Sequence, residues 1–330
     1  MRYLFKRCGH QELGSMDADM RPKRGQYLLM KMTPEVLSFF PPLSITQKND
    51  YRLVPFFPLY SRTKVYCRFV YHNDKFHEST ATQPRNEYRL YLNREVQGGE
   101  LRFVEGGIVV FRLVDESDFN RGMFLDYAGP QDGELYRVYD ERLRAGRLDS
   151  VGNYGVCDGA LKDFECRVAN VSSETSDVVV SETDIEYISK NRDDEAALFN
   201  EVSFRDFVMV GYRRKCAVTG TSIEHGSLCN LETAHIHPKA HGGTFLPSNG
   251  MMLCRDFHWA FDHGFFTLSD DLVVIVSKKV SSEMLAPYDG KRIFVPSNPF
   301  FRPDIASVRW HREHVFECFG QIRAMKVERT

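Results

Sequence analysis

No stretch of the 330 residues approaches the ~18 consecutive apolar residues that a membrane-spanning helix needs, which argues against a transmembrane protein. The start, Met1-Arg2-Tyr3-Leu4-Phe5-Lys6-Arg7, lacks the long apolar core of a secretory leader. No internal repeat and no low-complexity tract interrupts the chain. Cysteine is sparse and scattered, at positions 8, 67, 157, 166, 216, 229, 254 and 318, which suits reduced thiols in a cytoplasm and excludes a disulfide-scaffold protein. A strong excess of one charge is also missing, since the net charge is −2.

What is present is an ordinary globular composition, 42% hydrophobic and 27% charged, over a length that implies roughly two domains. The charge is unevenly placed. Residues 1–31 and residues 62–94 each hold seven Lys/Arg against three Asp/Glu, whereas residues 171–203 hold nine acids against Lys190 and Arg192. Basic segments are the footprint of phosphate binding, and an acidic stretch is most simply a solvated connector. Over residues 1–150, short β-rich runs (65–71, 88–92, 108–113) alternate with turn chemistry, with one helix capped at Thr33 and begun at Pro34. From Ala196 to Lys215 the apolar residues recur at helical spacing. The organisation is therefore read as residues 1–165, a mostly β domain; 166–195, an acidic linker; and 196–330, a second domain.

The most informative stretch begins Cys216-Ala217-Val218-Thr219-Gly220 and continues with Ala234-His235-Ile236-His237-Pro238 and Asn249-Gly250. It ends with Leu253-Cys254 and His258-Trp259-Ala260-Phe261-Asp262-His263-Gly264. These motifs, in this order, closely resemble the HNH nuclease family. The resemblance extends over about residues 200–320, including the tail with Pro296 and Trp310-His311-Arg312-Glu313-His314. It implies a ββα-metal fold that hydrolyses DNA phosphodiesters. A hairpin presents the first His, and the following helix presents the last.

On that resemblance His235 is the general base, Asn249 pins the intervening loop, and His258 opens the helix. His258 and Asp262 stand at i and i+4, so they share one helix face and can hold a single cation, Mg²⁺ or Mn²⁺. Many family members carry Asp or His immediately before the base. Ala234 stands there instead, leaving His258 and Asp262 to hold the metal with solvent, or Glu232 or His237 to reach in. Lys239 and Arg255 are candidate phosphate contacts, with a solvated surface role as the alternative. Many HNH domains are stapled by two Cys-x-x-Cys pairs. Here the partners of Cys216 and Cys254 are Thr219 and Phe257, so no structural zinc is expected.

A second resemblance starts at Arg85-Asn86-Glu87-Tyr88-Arg89-Leu90, with Phe5-Lys6-Arg7, Gly25-Gln26-Tyr27, Phe39-Phe40-Pro41 and residues 107–111. Together these are similar to the N-terminal DNA-recognition domain of EcoRII-type restriction endonucleases, a β pseudobarrel related to plant domains of the B-three kind. The resemblance implies two DNA-gripping arms. One would use Arg85, Asn86, Glu87 and Arg89, side chains that read base edges, and the other Arg21, Lys23 and Arg24. A salt-bridged strand face is the plainer reading of Arg-x-Glu-x-Arg, above all for Glu87.

The fold class is thus α+β, an N-terminal β pseudobarrel followed by a ββα-metal nuclease. The implied function is a type II-like restriction endonuclease acting on double-stranded DNA. It would act as a homodimer, since a symmetric site needs two nicks, with a cognate DNA methyltransferase encoded nearby. The alternatives are a modification-dependent or other defence nuclease, and a DNA-binding regulator with an inactive HNH fold.

Overall fold

The computed structural model describes residues 1–13, 27–73, 86–93, 96, 103–174, 177–190, 198–225 and 228–320. Arg21, Lys23, Arg24 and Arg85, all proposed above as DNA contacts, lie outside the described residues. The chain divides into two compact units, Met1–Glu186 and Tyr187–Thr330.

In the first unit the β-rich runs become β1 (Arg2–Arg7), β2 (Tyr27–Met30), β3 (Tyr51–Pro58), β4 (Thr63–His72) and β5 (Glu87–Tyr91). They continue as β6 (Ile108–Leu113), β7 (Met123–Ala128) and β8 (Tyr154–Asp158). Hydrogen bonds order them β2-β5-β4-β3-β7-β6-β1-β8, antiparallel except at β3 and β7. Side chains alternate between the two faces, as period 2 requires. Leu4, Val109, Phe111 and Leu125 enter one core, while their neighbours Tyr3, Phe5, Val110 and Phe124 enter another.

The first core lies inside a curl of the sheet. Tyr154 Oη on β8 donates to the Leu29 carbonyl on β2 at 2.7 Å, tying the two outermost strands together by a side chain. The sheet is therefore a half-barrel. Its outer face is covered by α2 (Gly133–Ala145) and α3 (Lys162–Glu174). The helix begun at Pro34, α1 (Pro34–Leu37), is a single turn with Thr33 at its N-cap.

The acidic segment departs from the expectation of a linker over 166–195. It carries most of α3, then β9 (Asp177–Val179), which pairs parallel with β4, and α4 (Glu182–Lys190). Phe164, Val168 and Val171 recur at helical spacing and are buried under the sheet, so this segment is folded structure, with Glu182 and Glu186 on its exposed face. Another acid of the segment is buried: Asp184 accepts from Arg68 Nε at 2.8 Å.

The second unit opens with α5 (Glu201–Gly211), capped by Asn200, whose side chain accepts from the Val202 and Ser203 N–H groups. A short hairpin, β10 (Glu224–His225) and β11 (Leu228–Cys229), precedes β12 (Leu231–His235) and β13 (Gly250–Cys254). The last two pair antiparallel with His235 opposite Gly250. Strand β13 runs directly into α6 (Arg255–Asp262). A second hairpin, β14 (Phe266–Leu268) and β15 (Val274–Val276), and α7 (Ile305–His314) complete the unit. Gly250 is obligatory, because a Cβ there would collide with Val208 and the Phe204 ring of α5. The fold is α+β, as expected.

Candidate active site

The site is built on β12, β13 and α6. At the end of β12 the His235 ring stacks on Phe204 at 4.3 Å between centroids, with Phe245 edge-on at 5.6 Å. Its Nε2 is buried and has no hydrogen-bond partner among the described residues. Burial, and then the charge of Lys239, hold the His235 pKa below its ordinary value, so the imidazole is neutral at neutral pH. A neutral ring with an uncommitted nitrogen is what a general base requires.

Two residues further on, the chain is clamped. Asn249 Oδ1 accepts the His237 N–H, and its Nδ2 donates to the carbonyls of His237 and, at 2.9 Å, of Thr244. The Asn249 carbonyl also accepts the Ile236 N–H at 2.8 Å. These bonds tie Asn249 to the backbone of residues 236, 237 and 244. Each buried amide group finds a partner, and the strand end that carries the base is fixed.

On α6, His258 Nε2 lies 3.3 Å from Asp262 Oδ2, one turn on, and its Nδ1 lies 2.8 Å from Glu232 Oε2 on β12. Burial alone would lower the His258 pKa, but the hydrogen bonds and charges of Asp262 and Glu232 outweigh it and raise the value. The Asp262 and His258 charges also reach His235, so all three belong to one electrostatic site.

Glu232 was one of two candidates for a third ligand. It sits instead on the far side of the imidazole, shared with Arg255 Nε at 3.2 Å, where it orients the His258 ring. The other candidate, His237, is turned toward the tail. Its ring stacks on Trp310 at 4.0 Å and its Nε2 bonds the His241 carbonyl. Ala234 is fully buried in the apolar core, and its methyl offers no donor atom to a metal.

Among the described residues no group of three or more His, Cys, Asp or Glu side chains is arranged around one metal position. The pair His258 and Asp262 does converge, with one nitrogen and one oxygen donor. That set suits a hard divalent cation that keeps most of its waters. Lys239 is exposed and lies over the Phe245 ring at 4.4 Å. Arg255, also exposed, is partly neutralised by Glu232. Cys216 and Cys254 are thiols in mutual contact; the hydrogen bond from Cys254 lowers the Cys216 pKa and raises that of Cys254.

Two contacts from the tail helix were not foreseen. His311, fully buried, donates from Nε2 to the Phe261 carbonyl at 3.1 Å and accepts at Nδ1 from Thr267 Oγ1 at 2.9 Å. Its ring lies flat on Phe261 at 3.7 Å. Trp310 and His311, neighbours on α7, thus brace the His237 loop and the last turn of α6. Only the Trp-His-Arg-Glu-His run hinted at this.

The N-terminal candidates belong to the first unit. Asn86 Oδ1 accepts from the Tyr71 hydroxyl. Arg89 is folded onto its own strand, with Nε donating to Glu87 at 2.8 Å and the guanidinium 4.1 Å over the Tyr27 ring. The plainer reading of Glu87, a salt-bridged strand face, matches this geometry.

Comparison with known proteins agrees with the motifs. Residues 216–269 match the family described as HNH endonuclease. No curated protein sequence matches the chain. Among solved structures the chain is similar to a modification-dependent TagI restriction endonuclease, at 26% identity over 38% of this chain and 39% of that one, with a TM-score of 0.29. It is similar also to the B3 domain of the UbaLAI restriction endonuclease with cognate DNA (17% identity, 47% and 86% coverage, TM-score 0.31). A third likeness is to the N-terminal domain of Helicobacter pylori LlaJI.R1 (12% identity, 48% and 100% coverage, TM-score 0.27). TM-scores this low do not fix an architecture. The family match over residues 216–269, where His235, Asn249 and His258 lie, shows that this chain carries an HNH endonuclease domain.

Proposed function

We propose that the chain is a metal-dependent restriction endonuclease, in which residues 1–165 recognise double-stranded DNA and the HNH domain cuts it. The observation that carries the cutting role is the buried, unpartnered Nε2 of His235, held on a neutral ring beside the His258 and Asp262 pair. His235 takes a proton from the attacking water at Nε2, the water oxygen bonds to phosphorus, and one P–O ester bond breaks. Asn249 keeps His235 in place through the backbone of residues 236 and 237. His258 and Asp262 would hold Mg²⁺ or Mn²⁺, which supplies a positive charge against the developing phosphorane and leaving oxygen. Glu232 holds the His258 ring so that Nε2 faces that position.

The recognition role rests on the sequence resemblance to EcoRII-type domains and on a half-barrel sheet of matching class. A homodimer follows from the need for two nicks at a symmetric site. A cognate methyltransferase is the partner such an enzyme requires to protect its own DNA.

Plasmid cleavage in Mg²⁺, with EDTA as control, tests the reading. His235→Ala should lower the rate about 10²–10⁴-fold and leave DNA affinity nearly unchanged. Near wild-type cutting by that variant would remove His235 from the role of base. Sequencing the ends of cut genomic DNA, methylated and unmethylated, would then show what is recognised.

A further inference from the structure

At the C-terminal end of α5, Arg213 and Arg214 adopt φ angles of 52° and 54°. Both lie in the left-handed region, which glycine enters freely and other L-residues enter at a cost. The turn closes the helix by backbone bonds alone, from Arg213 N–H to the Val210 carbonyl and from Arg214 N–H to that of Met209. Glycine at 213 would make the same bonds more cheaply.

The side chain of Arg214 recovers part of that cost through Glu224, which it meets at 3.0 Å. The side chain of Arg213 is exposed and makes no hydrogen bond or ion pair among the described residues, and the same holds for Lys215. A solvated arginine needs no strained backbone, so neither packing nor solubility accounts for this residue. Strain kept without a structural return points to function.

The turn is also tied rigidly to the active site. Phe204 of the same helix stacks on His235, and just after the turn Ala217 N–H donates to the Met252 carbonyl on β13 at 2.7 Å. From Phe204 to the last helical residue, Gly211, the rise is about 10 Å, or about three base steps along a duplex.

We propose that Arg213, with Lys215, grips the phosphate backbone of the DNA on one flank of the scissile bond. The left-handed turn would aim the planar guanidinium fork at phosphate oxygens. This inference rests on the nuclease reading above, because it takes the polymer at the active site to be DNA.

The test uses the full-length protein and a double-stranded oligonucleotide, with affinity measured over a range of salt. Arg213→Gly should raise Tm by about 2–4 °C, because it relieves the left-handed backbone. The same substitution should weaken binding about 2–10-fold and flatten the slope of log K against log salt by about 0.9. Arg213→Lys should keep the salt slope and gain no stability. A glycine variant that binds with wild-type affinity and slope would overturn the proposal, and so would one that gains no stability. Wild-type protein that binds DNA but never cuts it would sink the nuclease reading alone. Failure of the wild type to bind any duplex would sink both.

Discussion

Asn249 holds the backbone of His237 from both sides, accepting its N–H at 2.8 Å and donating to its carbonyl at 3.0 Å. One buried amide thereby replaces the regular strand ladder at the point where the chain leaves β12. Asn249→Ala breaks these bonds and the one to Thr244, and should destabilise the second unit by about 2–4 kcal/mol. Asn249→Asp keeps the acceptor but loses both donors and places a carboxylate against two carbonyls. Urea unfolding of the two variants checks this. A loss below 1 kcal/mol for the alanine variant would mean that the loop holds itself.

His311 sets a pH dependence of stability. Burial is the main cause that lowers its pKa to about 4, against 6.5 for an exposed histidine. Between those values the unfolded chain takes up a proton that the folded chain refuses. Stability therefore falls as pH drops from 6.5 toward 4, by about 3 kcal/mol in all at about 1.4 kcal/mol per pH unit. His258, with its raised pKa, acts in the other window: its contribution is complete below 6.5 and fades as pH rises through the raised value. Unfolding curves at pH 7, 6 and 5 should show the acid loss, and His311→Gln should flatten it. Equal slopes for wild type and variant would show that the acid sensitivity lies elsewhere.

Metal dependence should separate three residues. His258→Ala and Asp262→Ala should each raise the Mg²⁺ concentration needed for cleavage, the histidine variant more severely. Glu232→Gln should raise it less, since it removes an orienting partner rather than a ligand, by the 10–100-fold usual for such contacts at most. Titration of the three variants with Mg²⁺ decides the order. An unchanged requirement in Asp262→Ala would leave that residue as a bystander to His258.

Reading should be separable from cutting. Arg85→Ala and Arg89→Ala should weaken specific binding by about 1–3 kcal/mol each, the worth of a bidentate contact to guanine. Because Glu87 and Tyr27 hold Arg89 against the sheet, it must exchange those partners to reach a base. Competition against scrambled duplexes tests the assignment, and equal affinity for target and scrambled DNA would move recognition away from residues 1–165.

The placement of the candidate site residues was legible because their relationships are local or set by one hairpin. His258 and Asp262 are one turn apart, and a single strand pair carries His235 up to Gly250. Contacts made at long range left no such trace. Glu232 meets His258 across 26 residues and His311 meets Phe261 across 50, distances at which spacing says nothing about neighbours. The acidic segment misled for a different reason. Part of its charge describes the wet face of α4, where Glu182 and Glu186 are exposed, whereas Val168 and Val171, which fold α3 onto the sheet, are few among many acids. Arg213 was invisible because a sequence does not announce a φ angle.

The position of β1 has a consequence for synthesis on the ribosome. The first strand to emerge is not at an edge but lies between β6 and β8, with Leu4 opposite Phe111 and Arg2 opposite Asp158. At translation rates of about 5–20 residues per second, its second neighbour arrives about 8–30 seconds after it does. Until β8 is made, β1 has at most β6 to pair with, and one edge of the apolar run Tyr3-Leu4-Phe5 stays open. The nascent chain should therefore depend on a holding chaperone near its start, and slowing translation between residues 113 and 154 should lower the yield of soluble enzyme more than the same delay after 158.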